Sequence, residues 1–436
     1  MAMENMADKA QATGEEIYRL VERLYPICRS ITGDGVRQTL AILREYIPLE
    51  IHEVRTGTTV FDWTIPKEWN IRDAYVKDAD GRRVIDFKKH NLHVVSYSVP
   101  VRQRMSLAEL KAHLFTSEEY PDWIPYRTSY YNESWGFCLA HNDFLKLADG
   151  EYEVCIDSSL EPGSLTYGEY FIQGDSEDEI LLFAHCCHPS LCNDNLSGLA
   201  MLTLLARELA DADTRYSYRF VFAPATIGST TWLSRNQANL SRIRHGLVAA
   251  VLGDPGKLTY KKSRSETAEI DRAVEHVLKH SGEDYEILDF SPWGYDERQF
   301  CSPGINLPVG RLTRTPNGCY PEYHTSADNL QLVTPAALGN SFALYRELMQ
   351  VLDENRTFIN LSPNCEPQLG KRGLYRKTGG YKDVENRQLA ILWVLNQSDG
   401  MHSLLDIAEK SGMSVRELSR VADELVSCEL LKLAGT

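Results

Sequence analysis

The chain reads as an α/β protein with a mainly parallel sheet covered by helices on both faces. Two observations predict it. From Gly163 onward, apolar runs of strand length alternate with stretches of helical periodicity, the signature of strand–helix–strand units. Between Glu179 and Leu209 an apolar run, Ile180 to Ala184, empties into a loop of ligand-type residues. A helix with Leu196, Ala200, Leu204 and Leu205 on one face follows. Polar groups between a buried strand and a helix mark the carboxyl edge of such a sheet, where these folds place ligands.

Two amphipathic helices open the chain. Glu15 to Cys28 carries Ile17, Leu20, Val21 and Leu24 at helical spacing, and Val36 to Ile47 repeats the pattern after Thr32-Gly33-Asp34-Gly35. From Ile51 the period shortens. Val54, Val60, Trp63, Tyr75-Val76, Val84-Ile85 and Val94 to Val99 predict short strands, with a hairpin turn at Asp80-Gly81. A helix is expected at Leu107 to Leu114, capped by Ser106. Pro121 to Asn142 is dense in aromatic and polar groups, among them Trp123, Tyr126, Arg127, Tyr130, Tyr131, Trp135 and His141. That mix suits a pocket wall or an inter-domain seam equally.

In the sheet region, strands are predicted at Leu165 to Gln173, Ile180 to Ala184, Tyr218 to Ala223, Leu247 to Leu252 and Ile305 to Leu312. Helices are predicted at Leu196 to Ala210, Thr231 to Gln237, Thr267 to His280 and Pro335 to Leu352. The last has Thr334 as cap and proline at its first position. A Gly/Pro-rich stretch with basic residues from Lys371 to Lys382 reads as a linker. Three short helices follow, at Asn386 to Leu395, Leu404 to Lys410 and Val415 to Cys428, the last capped by Ser414 with Glu417 three residues on. This arrangement resembles a winged helix. The expected organisation is an α/β domain from residues 1–50 and 162–359, a β-rich insertion at 51–161, a linker at 360–382 and a winged-helix-like domain at 383–436.

Bulk properties narrow the class. A chain of 436 residues with 43% hydrophobic content supports two or three domains and a sizeable core. A net charge of −15 argues against a nucleic-acid or acidic-membrane partner. Ten cysteines are too dilute for a disulfide scaffold, and no apolar run reads as a signal peptide or membrane span. A reduced, cytoplasmic setting is the expectation.

The segment Asn193-Asp194-Asn195-Leu196-Ser197-Gly198 resembles the Asp-Asn-Ala-Ser-Gly stretch of the zinc-dependent aminopeptidases, the co-catalytic zinc exopeptidases. The likeness covers roughly residues 165 to 355. The whole chain is similar to bacterial aminopeptidase-like proteins with a β-rich insertion and a carboxyl-terminal winged helix. The resemblance implies a zinc-exopeptidase-like fold, one or two zinc ions and cleavage of an amide in a peptide or peptide-like conjugate. It makes Asp194 the metal bridge and His185 or His188 the first histidine. Asp254, which follows an apolar strand, matches a terminal ligand, and His324 a ligand of the second metal. Asp328 is either an orienting partner of His324 or the start of a turn. Nitrogen and oxygen donors of this kind suit zinc.

His185, Cys186, Cys187, His188 and Cys192 offer a competing structural zinc site. Neighbouring strand residues face opposite ways, however, and no Cys-x2-Cys pair occurs, so buried thiol fillers are expected.

The chain departs from the family at Phe222-Ala223-Pro224-Ala225-Thr226-Ile227-Gly228-Ser229. The family carries two glutamates here, one a general base, and the narrower group often has glutamate at the position of Ala225. Alanine can be neither base nor ligand. A natural variant with one metal and a different base, an inactive or repurposed homologue, and an engineered substitution are the three alternatives. Gly294-Tyr295-Asp296-Glu297 resembles the loop that closes over substrate. Asp296 or Glu297 would grip an α-amino group, Glu297 would alternatively relay a proton, and Glu322 is a further acid.

Two other functions fit the same residues. One is amide chemistry on a non-peptide in glycan or natural-product metabolism. The other is a catalytically impaired binding or regulatory protein. Within 383–436 acidic residues outnumber basic ones nine to five, and the presumed recognition helix offers only Arg416 and Arg420. That is poor for phosphate contact. Homo-oligomerisation or a protein partner through this domain is the expectation.

Overall fold

The computed structural model describes residues 2–374 and 382–435. Residues 375–381, within the expected basic linker, lie outside them. The chain divides into two compact units, Met1–Glu266 with Asp284–Ala343, and Thr267–Glu283 with Leu344–Thr436.

The first unit is built on an eight-stranded mixed sheet flanked by helices. Its strands are β1 (Glu50–Arg55), β2 (Ser164–Ile172), β3 (Glu179–His185), β4 (Ser217–Ala223), β5 (Ile243–Ala249), β6 (Leu258–Lys261), β7 (Tyr285–Leu288) and β8 (Val309–Thr313). They lie in the order β1-β2-β4-β3-β5-β8-β6-β7. Every residue of β3 is buried, as a central strand covered on both faces requires. Its neighbours β4 and β5 both run parallel to it. Helices α1 (Ala2–Leu24), α2 (Asp34–Leu43), α3 (Gly198–Ala210) and α4 (Ile227–Arg235) complete the framework.

The chain leaves β3 through α3 to reach β4 on one side, and later returns to β5 on the other. The strand order therefore reverses at β3. The crevice outside its carboxyl end is a topological switch point. Gly198, at the start of α3, sits so close to β5 that a Cβ would lie 2.4 Å from the Ala249 carbonyl oxygen. Only glycine lets the helix enter there.

Three features differ from the sequence expectation. Residues 51–55, placed with the insertion by their short period, belong to β1, which pairs with β2 along its whole length as a strand of the main sheet. The segment at 94–99 forms isolated bridges rather than a strand, with Tyr97 at a φ of 72°. Side chains pin it instead, the Trp69 indole and Ser158 hydroxyl both donating to the Ser98 carbonyl. The inserted sheet is made by Glu68–Lys77, Arg83–Asp86, Val101–Ser106 and Glu151–Glu161. Strands β6 and β7, four residues each, lack the apolar length that made the other strands legible. The Ser106 cap is present in full, as a reciprocal box with Glu109.

The second unit contains α5 (Glu269–Ser281) and the winged helix. The latter comprises Lys382–Gln397, Leu404–Ser411 and Val415–Ser427 with a three-stranded antiparallel sheet. The central strand is Thr357–Asn360, from the end of the stretch assigned by sequence to the α/β domain and the first linker residue. Helix α6 (Pro335–Glu354) begins in the first unit and ends in the second. Thr334 accepts from the Ala337 amide, which makes it the expected cap. Among the described residues no helix is long and apolar enough to cross a membrane.

Candidate metal centre

The Asn193–Gly198 motif makes physical sense once placed at the end of β3. The Asn195 side chain donates to the Ala249 carbonyl at the end of β5 (2.9 Å) and accepts from the Gly198 amide (3.2 Å). Asn193 accepts from the Gly253 amide and donates to Asp254 (3.0 Å). Ser197 donates to the Asn193 carbonyl and accepts from the Leu252 amide. The two asparagines and the serine thus bolt the loop to the exit of β5. Asp328 completes the frame, its carboxylate accepting from the Asn193 amide (2.6 Å) and the Asp194 amide (3.0 Å). The peptide bonds Asp194–Asn195 and Ala225–Thr226 are cis.

Held this way, the Asp194 carboxylate is surrounded by three imidazoles. His185 Nε2 lies 2.8 Å from Oδ1, His324 Nε2 lies 2.9 Å from Oδ2, and His188 Nδ1 lies 3.4 Å from Oδ2. The sequence left His185 and His188 as alternatives; both converge. His185 and Asp194 are buried and the His188 side chain keeps 9% exposure, whereas that of His324 keeps 31%. Burial acts to raise the Asp194 carboxyl, but the histidines outweigh it and hold the group well below the usual carboxylate range. Burial pushes His188 down to about 3, so its ring is neutral near pH 7.

These residues fit a metal ion. One donor atom from each of His185, His188 and Asp194 lies within 4.8 Å of the others. Buried His188 Nδ1 has no hydrogen-bond partner among the described residues, the orphan expected of a ligand. Neutral imidazole with anionic carboxylate is a donor set suited to zinc.

Asp254 takes a different place. Its Oδ1 accepts from Thr315 Oγ1 (2.5 Å) and the Gly256 amide (2.8 Å), and its Oδ2 from Asn193. It lies outside the three-residue cluster and anchors Asn193. Asp328 orients the Asp194 loop rather than His324. The thiols of Cys186, Cys187 and Cys192 are free and buried. Burial pushes Cys186 up to about 12, which keeps it protonated.

Tyrosines wall the centre. Tyr295 stacks on His185 at 4.9 Å and Tyr323 on His324 at 3.9 Å. Tyr126 meets His188 and His324 edge-on, and its amide donates to the His324 carbonyl. The aromatic segment of the insertion therefore reaches the histidines through Tyr126. Nothing in the spacing of Tyr126 announced this, because the contact spans the fold.

Asp296 is fully buried and accepts from Ser229 Oγ (2.6 Å), with Oδ2 unpartnered among the described residues. Burial pushes its carboxyl up to about 7, against the opposing pull of His185 and the Ser229 hydrogen bond. Glu297 is also fully buried, and its Oε1 accepts from Lys261 (2.9 Å). Ala225 is half-buried beyond β4, with its backbone against the Cys187 thiol. Glu322 is half-buried.

Residues 18–355 match a family described as a domain of unknown function, DUF4910, and residues 356–433 match a winged helix-turn-helix. A Clostridium acetobutylicum protein is 59% identical over 421 residues, 97% of each chain. It is provisionally named a polysaccharide biosynthesis protein with an aminopeptidase-like domain. A crystal structure from the same organism, provisionally named a peptidase, superposes with a TM-score of 0.94 at 56% identity over 99% of both chains. At the level of fold alone, BSAP, a zinc aminopeptidase of Bacillus subtilis, superposes with a TM-score of 0.55 at 13% identity. That match covers 78% of this chain and 95% of that one. A Shewanella amazonensis peptidase M28 precursor gives 0.56 at 14%, over 80% and 95%. The chain belongs to the DUF4910 family, carries the α/β fold of the zinc aminopeptidases, and ends in a winged helix.

Proposed function

We propose that the chain is a zinc-dependent hydrolase that cleaves an amide bond in a peptide or peptide-like conjugate. The observation that carries this reading is the buried Asp194 carboxylate bracketed by His185, His188 and His324 at the switch point of the sheet. His185, His188 and Asp194 would hold one ion, and His324, beside Asp194 Oδ2, would serve a second. Zinc supplies Lewis-acid polarisation of a carbonyl and lowers the pKa of water towards neutrality. Asp328 keeps Asp194 in place through two backbone amides. Asp254 enters this reading as the anchor of Asn193.

With alanine at 225, Asp296 is the best-placed acid–base group. Burial holds its carboxyl at about 7, and its free oxygen is available to accept a proton or an α-amino group. Glu297, already engaged by Lys261, is less available. The tyrosines shed water from the centre and give area for substrate.

The decisive experiment measures metal content and hydrolysis of aminoacyl-p-nitroanilides and dipeptides, with Asp194→Asn in parallel. Asparagine offers the ion one neutral oxygen, so we expect near-complete loss of metal and of turnover. An unchanged metal stoichiometry would sink the assignment.

A second reading, amide chemistry on a glycan precursor, is favoured by the name given to the Clostridium relative. Adding N-acyl amino sugars to the substrate panel separates the two. The acidic balance of the winged helix supports protein docking rather than DNA binding, and free thiols throughout support a reducing compartment.

A further inference from the structure

Strands β6 and β8 pair antiparallel with Lys261 directly opposite Arg311. Both side chains are buried, at 3% and 5% exposure. Like charges opposite one another on a sheet repel, and burial removes the water that would screen them. One carboxylate, Glu297, stands between them. Its Oε1 is 2.9 Å from Lys261 Nζ but 3.6 Å from Arg311 Nη1, so the lysine takes the hydrogen bond. Gly294 allows this close packing, since a Cβ there would fall 2.0 Å from Glu297 Oε1.

Arg311 is left under-satisfied. Nη1 donates to Asn317 Oδ1 at 2.8 Å, and the buried Nε has no partner among the described residues. Its guanidinium carbon lies 5.3 Å from the centre of the Tyr295 ring, the ring that stacks on His185 at 4.9 Å. A buried arginine with one unpartnered donor, Nε, thus stands one aromatic ring away from the histidine centre. A planar fork of donors in a dry site matches a compact oxyanion.

We propose that Arg311 anchors an anionic group of the substrate, a carboxylate or a phosphate, beside the metal centre. The proposal rests on the hydrolase reading for the word substrate, and on geometry alone for the anion site. Lys261 lends positive potential, and Glu297 keeps the two cations apart when the site is empty.

The test uses the full-length, zinc-reconstituted protein in two arms. In the binding arm, calorimetry and thermal shift compare succinate, phosphate and the neutral succinamide. Each is run on the parent, Arg311→Gln and Arg311→Lys. We expect the parent to bind one of the anions at least tenfold more tightly than succinamide. Arg311→Gln should lose that preference and Arg311→Lys keep part of it. In the kinetic arm, dipeptides bearing glutamate are paired with glutamine counterparts, and phosphoserine with serine. The favoured anion should raise kcat/KM at least tenfold in the parent, with the ratio falling towards one in Arg311→Gln.

Anion binding that persists unchanged in Arg311→Gln would place the anion on the metal and overturn the proposal. Equal binding of succinate, phosphate and succinamide by the parent would overturn it without any variant, so the test survives a glutamine variant that fails to fold. Arg311-dependent anion binding with no hydrolysis of any substrate would uphold the anion site and remove the hydrolase reading instead.

Discussion

Asp194 has no room for substitution because each carboxylate oxygen is already committed to an imidazole. Its neighbours are nearly as constrained. Asp328 accepts from two successive loop amides, and an asparagine there keeps one acceptor oxygen while presenting an amide to the other donor. We expect Asp328→Asn to weaken metal binding by about 10–100-fold, the range typical of residues that orient ligands. Competition against a chromogenic chelator measures it. Ala225→Glu tests the departure from the family. If residue 225 faces the metal loop, a carboxylate there adds a general base worth about 10²–10⁴-fold, and hydrolysis should rise above the parent rate in added zinc. No change in either rate or metal content would place the alanine away from the chemistry. Asp194 was legible in the sequence through the resemblance of Asn193–Gly198 to the exopeptidase segment, which follows an apolar strand. Asp328 was not, because its hydrogen bonds cross 134 positions and leave no local pattern.

Between elements, one clamp joins the opening helices to the insertion. Arg37 of α2 donates to both oxygens of Glu68 at 2.7 Å, and to Glu53 of β1 at 2.9 and 3.1 Å. Arg37 holds the Glu68 carboxyl down at about 2, against burial, with help from the Ser164 amide. A depressed carboxyl stabilises the fold above its unfolded value of 4.5, and the contribution fades as pH falls from there towards 2. Discounted for its remaining contact with water, the clamp contributes about 1–2 kcal/mol. Glu68→Gln should lower stability by about that much at pH 7 and flatten the loss between pH 4.5 and 2, read by urea melts across the range. An unaltered acid limb would mean the pair is neutral in effect. The long buried strands and capped helices were readable here because their periodicity is local. The register of β1 against β2 was not, since the insertion separates the partners in sequence.

At the scale of the molecule, the winged helix does not end at its own sequence boundary. Helix α5, expected as part of the α/β domain, belongs to the same compact unit. Arg272 donates to Glu409 twice at 2.7 Å and to Asp406 at 2.6 Å, and His276 accepts from the Val415 amide. Deleting residues 383–436 strips these groups of partners. We expect the truncated chain to lose soluble yield while whatever remains soluble keeps its metal stoichiometry. Gel filtration with metal analysis decides this, and loss of metal together with the module would contradict it. The strand order also carries a consequence for how the protein is made. Asp194 sits mid-chain and His324 lies 130 positions later, while the framing Asp328 follows still further on. A nascent chain emerging from the ribosome therefore offers incomplete coordination until nearly the whole sheet domain has been synthesised. A zinc ion held by these residues would therefore be acquired only after that domain has been translated, by a protein already committed to its fold.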